Sequence, residues 1–385
     1  MHNGRDLCHT GIRRACDDLD FAVWSMQHTP RTWTVDMPDT AAQQYDEKDV
    51  DLVLEGGGVK GIGLSGTVAT LARAGYSFPR VAGTSAGAVV GAFLVALQRA
   101  GEPLERLEDV ARTLDYRRLR DRGAVGRAAG PLARIVDGFS LAFDGGVFEG
   151  DYLRSWVKGA LGDLGVRTFG DLRADDPGSS LPENQRYSLL VTASDVSRKR
   201  FVGLPWDYPL YGLDPDEQEV ADAVRASASI PFFFEPVTLR STPTEEGDPN
   251  VSTLVDGGVL SNFPIAVFDR TDGSPPRWPT FGVRLSMRSD GRVQTTQVRG
   301  TVSLALSLVE TMVEACDAQH IDDPCVLRRS IFVNTSGISP VDFGITDQQQ
   351  EQLLLAGHQA AGQFLADWDW QRYLTDCRDA EAVLP

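Results

Sequence analysis

Cysteine and histidine are both scarce in this sequence, with 5 of each among 385 residues. The cysteines are odd in number and show no CxxC spacing, which argues against a disulfide framework and a zinc site and predicts buried free thiols. The histidines show no HExxH or other ligand spacing, so neither a metal nor another cofactor is predicted. The residues are Cys8, Cys16, Cys316, Cys325 and Cys377, and His2, His9, His28, His320 and His358.

Long hydrophobic runs are absent as well. The longest strongly apolar run, residues 88–97, is about half as long as a bilayer-spanning helix. The N-terminus has no apolar segment behind a basic start and carries acidic side chains early, so no secretory signal is predicted. We therefore expect a soluble, cytoplasmic protein whose contact with lipid is peripheral.

Positively charged residues are also few. The chain has 37 Lys and Arg residues but 54 Asp and Glu residues, which gives a formal net charge of -17. Such a surface repels phosphate backbones and anionic headgroups, which argues against a nucleic-acid partner and against simple electrostatic recruitment to membranes. The acidity also agrees with a plain role in solubility. A hydrophobic share of 42% and a charged share of 24% are those of folded globular proteins, which argues against disorder.

What the sequence does contain is an alternation of short apolar segments with helical stretches. Predicted strands cover residues 50–54, 80–84, 187–193, 253–255, 280–285 and 331–334, and predicted helices include residues 88–100, 302–319 and 348–368. This alternation predicts an α/β fold with a mostly parallel central sheet covered on both faces. We expect an N-terminal extension at 1–48 that is partly mobile or wraps the domain, one catalytic domain at 49–370, and a C-terminal tail at 371–385.

The strongest single motif is Gly83-Thr84-Ser85-Ala86-Gly87, a GxSxG sequence between a predicted strand and an apolar helix. That context is the one a nucleophile elbow requires, because the sharp turn raises the serine hydroxyl above the sheet. The glycines allow neighbouring backbone to approach without a Cβ clash. The start of the next helix also points its positive end at the serine.

A glycine-rich loop, Gly56-Gly57-Gly58-Val59-Lys60-Gly61, follows the first predicted strand. Its bare backbone can turn amide groups inward to bind an anion, as an oxyanion hole does. The loop also fits GxGxxG, the dinucleotide fingerprint, but no acidic residue ends the second strand to hold a ribose. Lys60 could attract a phosphate headgroup or an effector anion, and an exposed lysine at a helix start explains it equally well.

A third motif, Asp256-Gly257-Gly258, follows a short apolar segment. An aspartate at a strand end with two glycines behind it can face a pocket closely. Asp-Gly is also the commonest kind of turn, so this motif alone predicts no chemistry.

Together the three motifs, in this order and spacing, resemble the patatin-like phospholipases. Weaker likenesses lie at residues 148–153, 168–172, 226–233 and 261–264, and the resemblance runs from about residue 51 to about residue 365. It implies a three-layer α/β/α fold of modified α/β-hydrolase type and a lipid acyl hydrolase without cofactors. The roles it implies are a nucleophile, Ser85, a base, Asp256, an oxyanion hole, Gly56, Gly57 and Gly58, and supporting positions, Lys60, Gly61, Gly83, Gly87, Gly257 and Gly258.

Three alternatives remain open. His320 or His358 could complete a Ser-Asp-His triad of the α/β-hydrolase kind. The GxGxxG loop could belong to a nucleotide-binding oxidoreductase, and the whole chain could be a silent scaffold that only binds. The lipid class, an activator and the oligomeric state have no signature in the sequence.

A locally basic stretch between Arg112 and Phe148 stands out in this acidic chain. Its arginines are followed at once by an apolar segment, a pattern that suits docking on anionic lipid or a lid that opens at an interface. An ordinary helix and loop with solvated arginines explains the stretch as well. The residues are Arg112, Arg117, Arg118, Arg120, Arg122, Arg127 and Arg134, then Phe139, Leu141, Phe143, Val147 and Phe148.

Overall fold

The computed structural model describes residues 48–120, 148, 150–176, 178–243, 248–272, 274–285, 307, 311 and 323–377. Its strands are β1 (Asp51–Leu54), β2 (Val81–Thr84), β3 (Leu189–Asp195), β4 (Arg200–Leu204), β5 (Val237–Arg240), β6 (Val251–Asp256), β7 (Thr280–Arg284) and β8 (Ser330–Phe332). Its helices are α1 (Ile62–Arg73), α2 (Ala86–Ala100), α3 (Arg106–Thr113), α4 (Asp151–Asp163), α5 (Val220–Ser227), α6 (Pro324–Arg328), α7 (Asp347–Asp367) and α8 (Trp370–Cys377).

These strands form one sheet in the order β5-β6-β3-β2-β1-β7-β8, and β4 pairs with β3. The neighbours from β3 to β8 are parallel, whereas β4, β5 and β6 are added antiparallel at the β3 side. The carboxyl ends of β1 and β2 therefore meet at one edge of the sheet. The predicted α/β fold with a mostly parallel sheet is confirmed.

Alternate side chains of the central strands pack into two different hydrophobic cores. Leu52, Leu54 and Val81 belong to the larger core, with the apolar residues of α1 and α2. Their neighbours along the strands, Val53 and Ala82, belong to a smaller core that residues 263–268 close. Burial on both faces explains why the central strands read as continuous apolar runs.

One prediction about cysteine is wrong. Cys325 and Cys377 form a disulfide that joins α6 to α8 across 52 positions of sequence, next to an ion pair between Arg328 and Asp376. Spacing alone could not reveal this pair, because the fold brings the two helices together. The other cysteines, Cys8, Cys16 and Cys316, lie outside the described residues.

Several further predictions fall wholly or mostly outside the described residues. They are the extension at residues 1–48, the helix at 302–319, the later part of the basic stretch and the end of the C-terminal tail. Residues 370–377 form α8, whose Tyr373 is buried, so the tail begins with an ordered helix. Within the described part of the chain no helix has both the length and the apolarity to cross a bilayer.

Candidate active site

Ser85 occupies the turn between β2 and α2, since the strand ends at Thr84 and the helix begins at Ala86. Its backbone has φ 53° and ψ -116°, a conformation that residues with a side chain rarely adopt. A strained residue of this kind persists only where its surroundings hold it, and such residues cluster at functional sites. The Ser85 N–H donates to the Ser227 hydroxyl at 2.8 Å, which fixes the turn from the side of α5.

The glycines on either side of Ser85 are required by close packing. A Cβ on Gly83 would lie closer than 3.0 Å to the Gly87 carbonyl, and a Cβ on Gly87 would come equally close to the carbonyl of Leu54. Both contacts are with backbone, which cannot move aside easily. The GxSxG pattern therefore has a steric cause in this fold: the turn folds back onto itself and onto the end of β1.

The strand pairing brings Asp256 to the same edge. Thr84 is paired with Thr192 on parallel β3, and the next residue of β3, Ala193, is paired with Asp256 on antiparallel β6. The hydroxyls of Thr84 and Thr192 lie 2.7 Å apart between the two positions. Asp256 is consequently next to the Ser85 turn although most of the domain separates the two residues in sequence.

The carboxylate of Asp256 is buried, with 6% of the residue exposed. Burial raises the pKa of Asp256 to about 6, because the charged form loses its hydration, while interactions with the Ser85 side chain and the Gly258 amide lower the pKa in part. Oδ1 accepts the Gly258 N–H at 2.8 Å, whereas the buried Oδ2 has no hydrogen bond of regular geometry among the described residues. The Ser85 side chain thus interacts with the carboxylate, but the two do not form a fully aligned hydrogen bond.

The glycine-rich loop lies directly beside Ser85. A Cβ on Gly56 would lie 3.1 Å from the Ser85 Cβ. Asn262 holds the loop twice, because its side-chain amide donates to the Gly56 carbonyl at 3.2 Å and its own carbonyl accepts the Gly56 N–H at 3.4 Å. Within the described part of the chain the amides of Gly57 and Gly58 donate to no protein acceptor, so both are open to an external anion.

The rest of the loop forms one short 3-10 turn, Gly58–Gly61. Gly58 has φ +55° and would clash through a Cβ with the Pro340 carbonyl, so this position requires glycine. A Cβ on Gly61 would press on the side chain of Ala86, which places the turn against the start of α2. Lys60 is partly exposed in the same turn.

Behind the loop lies a buried ion pair that no sequence motif indicated. Glu55 accepts two hydrogen bonds from the Arg284 guanidinium, at 3.2 and 3.0 Å, and one from the Leu285 amide. Because Glu55 immediately precedes Gly56, this pair anchors the loop to β7. Sequence reasoning also missed Ser227 and Asn262 as positioning residues, although both belong to segments that resemble the family.

An apolar cavity opens from Ser85. It measures about 700 Å³, counting the part open to solvent, and Gly58, Gly61 and Ala86 line it near the serine. Its other walls come from α1, α2, α3 and α4, from residues 114–119 and 228–234, and from Phe343. The larger side chains there are Ile62, Val89, Val90, Phe93, Leu107, Leu114, Tyr116, Leu119, Leu153, Trp156, Ile230, Phe234 and Phe343. A pocket of this character suits a hydrocarbon chain.

His358 lies on α7, away from this arrangement. Its ring nitrogens contact Thr70 at 2.9 Å, Arg73 at 2.9 Å and Glu108 at 3.4 Å, and neither candidate residue is among its polar contacts. The other histidine considered for a triad, His320, lies outside the described residues.

The described part of the basic stretch is packed against the protein. Arg112 forms ion pairs with Asp109 and Glu351, both at 3.3 Å, and the Arg118 guanidinium lies 4.2 Å from the Tyr152 ring centroid. Phe148 is buried against Phe233 and Phe234. Residues 121–147, which hold most of the predicted lipid-docking segment, are outside the described residues.

A strained serine at a strand-to-helix turn, beside a buried carboxylate and a loop with open amides, is the arrangement that acyl hydrolases with a serine nucleophile use. The sequence matches the family described as patatin-like phospholipase over residues 52–269. The chain belongs to this family, as the sequence motifs indicated.

Among curated proteins, the chain is similar to a Bacillus subtilis (strain 168) protein described as uncharacterized protein YqhO. The two are 36% identical over 321 residues, which cover 83% of this chain and 99% of the relative.

Two solved structures are also similar. VipD from Legionella pneumophila is 16% identical with a TM-score of 0.44, and the match covers 83% of this chain and 67% of VipD. A chain of the heterodimeric complex ExoU-SpcU from the type III secretion system of Pseudomonas aeruginosa is 17% identical with a TM-score of 0.39. That match covers 83% of this chain and 52% of the other, so this chain spans about half the length of its counterpart.

Proposed function

We propose that this protein hydrolyses carboxylic esters of lipids, as a phospholipase A or lysophospholipase does, through a Ser85–Asp256 dyad. The observation that carries the proposal is the meeting of Ser85 with the buried Asp256 carboxylate at the mouth of an apolar cavity. Each component alone has an ordinary structural explanation. Their coincidence at one edge of the sheet, in a chain of this family, favours catalysis.

In the first step Asp256 accepts the hydroxyl proton of Ser85 while Oγ bonds to the ester carbonyl carbon. The carbonyl π electrons move to oxygen, and the open amides of Gly57 and Gly58, with Gly56 beside them, stabilise the resulting negative charge. The start of α2 adds its positive end. The bond to the alcohol then breaks, Asp256 returns the proton to the leaving oxygen, and an acyl-enzyme remains.

In the second step water attacks the acyl carbon and gives its proton to Asp256. The carbonyl forms again, the bond to Oγ breaks, and the proton passes back to Ser85, so a fatty acid leaves and both residues are restored. An aspartate of ordinary pKa is a weak base for this task. Burial moves the pKa of Asp256 to about 6, closer to neutral pH, and so makes it a stronger base.

The lining of the cavity supports an acyl chain as the part of the substrate that is bound. Beyond the site itself, its polar groups are few, and the long walls are aliphatic and aromatic. An extended acyl chain buried there gains roughly 0.8 kcal/mol for each CH₂ group. A long-chain lipid ester should therefore bind more tightly than a short-chain ester, although the reacting carbonyl group is the same.

The decisive variants are Ser85→Ala and Asp256→Asn. We expect each to abolish release of fatty acid from a lysophospholipid while the circular dichroism spectrum stays that of the wild type. His358→Ala and Asp171→Asn are the matched controls and should retain full activity. Full activity in either dyad variant would overturn the dyad, and loss of activity in His358→Ala would favour the triad alternative.

Two further measurements separate an enzyme from a silent scaffold and define the substrate. A fluorophosphonate probe should label the wild type and not Ser85→Ala, whereas a scaffold would take up no label. Mass spectrometry of the fatty acids released from a mixed lipid extract should show a difference between wild type and Ser85→Ala, and the identity of the acids gives the lipid class.

We also propose that the enzyme meets its substrate through peripheral contact with a membrane. The supporting observation is the neighbourhood of the site, because α3 and α4, which flank the basic stretch at residues 112–148, wall the apolar cavity. Sedimentation with vesicles of mixed anionic and neutral lipid tests this. Equal sedimentation of the wild type and of a variant with Arg122, Arg127 and Arg134 changed to Gln would refute it.

A further inference from the structure

A tight turn in the wall of the apolar cavity carries Phe232 at its tip. The amides of Phe233 and Phe234 both donate to the Ile230 carbonyl, at 3.1 and 2.9 Å, and so close the turn. Pro231 is the second residue of the turn and Phe232, with φ +66°, is the third. A third position with positive φ favours glycine or asparagine, because a Cβ is strained there. A phenylalanine at this position therefore lowers the stability of the turn.

Phe232 is also exposed, with 37% of the residue accessible to solvent. Four large apolar side chains are exposed in the described part of the chain, and Phe232 is the aromatic one among them. A single exposed apolar residue is ordinary in itself. Here the exposure coincides with a strained backbone that glycine would relieve. Strain of this kind at an exposed ring points to a role outside the folding of the turn.

The neighbouring phenylalanines hold the turn in place. The Phe233 ring packs against Phe148 and Phe343, with centroids 5.0 and 5.1 Å apart, and the Phe234 ring centroid lies 6.1 Å from that of Phe343. Phe232 takes part in no ring contact of this kind within the described residues. The turn is thus fixed from beneath, and its outermost ring is left to the solvent.

This ring marks the place where the wall of the apolar cavity reaches the protein surface. Ile230 and Phe234, on either side of the turn tip, both line the cavity that contains Ser85. Phe232 lies between them in sequence, is exposed and is not part of the lining. A surface that met the protein at Phe232 would therefore lie next to the cavity.

We infer that Phe232 inserts into the interfacial layer of a lipid surface made of zwitterionic lipid. The inference rests on the proposed action on lipids, because a substrate held in a membrane must meet the cavity at the membrane surface. An aromatic ring is suited to the boundary between headgroups and acyl chains. The exposed acidic residues nearby, Glu235 and Asp342, and the net charge of -17 disfavour an anionic surface at this point.

The test is sedimentation of the full chain with phosphatidylcholine vesicles that contain no anionic lipid. Ser85→Ala is the parent protein throughout, so the vesicles are not hydrolysed, and we expect it to bind them. Phe232→Gly should weaken this binding roughly tenfold, because about 70 Å² of apolar surface no longer leaves water. Phe232→Leu should retain most of the binding. Leu355→Gln, which removes an apolar side chain of 50% exposure from α7, is the matched control and should bind as the parent does.

A second comparison tests the strain at the turn. Phe232→Gly and Phe232→Ala both lack the ring, and they differ in the Cβ alone. Phe232→Gly should unfold at a higher urea concentration than Phe232→Ala, because only glycine is unstrained at this φ. The reverse order would remove the strain from the argument and overturn the inference.

Three results of the vesicle experiment would also overturn it. These are no binding by the parent protein, equal binding of Phe232→Gly and the Leu355→Gln control, and a dimer of the parent in gel filtration that Phe232→Gly loses while no variant binds vesicles. The last result would assign Phe232 to contact with a second copy of the chain. Binding is measured without catalysis, so a wild type that releases no fatty acid would refute the proposed function while sedimentation still decides this inference.

Discussion

Replacing Asp256 with Asn should stabilise the protein by an amount that grows with pH. The pKa of Asp256 is raised from 3.8 to about 6, so the folded state binds the proton more tightly than the unfolded state does. Ionisation therefore costs folding free energy, and stability falls as pH rises between the two pKa values. Each pKa unit corresponds to about 1.36 kcal/mol, so the full cost above pH 7 is about 3 kcal/mol.

Over an accessible pH range the expected change is smaller and still measurable. The linkage relation gives a cost of about 1.6 kcal/mol at pH 5 and about 3 kcal/mol at pH 8. The difference in unfolding free energy between Asp256→Asn and wild type should therefore increase by about 1.4 kcal/mol across this range. Any effect of asparagine that does not depend on pH cancels from this comparison.

The assay is urea denaturation of both proteins at several pH values from 5 to 8, with Asp171→Asn as control. The amides of Thr168 and Arg167 lower the pKa of Asp171, so both its folded and unfolded values lie below this range. The difference in unfolding free energy between Asp171→Asn and wild type should therefore not change with pH. A difference for Asp256→Asn that stays constant or shrinks as pH rises would refute the assignment of a buried, costly carboxylate.

Three other predictions concern the same site. The kcat/KM for an ester should rise about tenfold per pH unit below a pKa near 6 and level off above it, since Asp256 must be ionised to act as base; a flat profile from pH 5 to 8 would contradict this role. Ser227→Ala should lower the free energy of unfolding, measured by denaturation, by about 1–3 kcal/mol, because it leaves the Ser85 N–H without an acceptor. Ser227→Thr should restore much of this free energy. Ala111→Phe should fill part of the apolar cavity and raise KM for long-chain esters more than for acetyl esters; equal effects on both would argue that acyl chains bind elsewhere.

The fold was predictable to the extent that its causes are local. The apolar runs of β1, β2 and β7 are short and uninterrupted because both of their faces are buried, which is a pattern visible in the sequence. Strands β4 and β5 were not predicted, because both contain exposed positions that interrupt an apolar run, and both lie at the antiparallel side of the sheet. The disulfide escaped prediction because two helices far apart in sequence bring its cysteines together.

The candidate site was likewise predictable only where its causes are local in the sequence. The glycines around Ser85 were informative because each is required by a contact with backbone close to it in the fold. The Asp-Gly-Gly motif was uninformative alone, and only the resemblance to a family connected Asp256 to Ser85. The supporting contacts of Ser227, Asn262 and Arg284 depend on tertiary packing, so no sequence pattern identified them.

Two costly features coincide at this site, the strained backbone of Ser85 and the buried charge of Asp256. A strained residue of this type costs of the order of 1–3 kcal/mol, a penalty similar in size to that of the carboxylate. Both are tolerated because neighbouring strands with buried faces hold them: β2 and β3 fix the turn, and β6 fixes the carboxylate through its register with β3. A substitution that relaxes either feature should therefore make the protein more stable and less active, as expected where a fold maintains a reactive arrangement at the expense of its own stability.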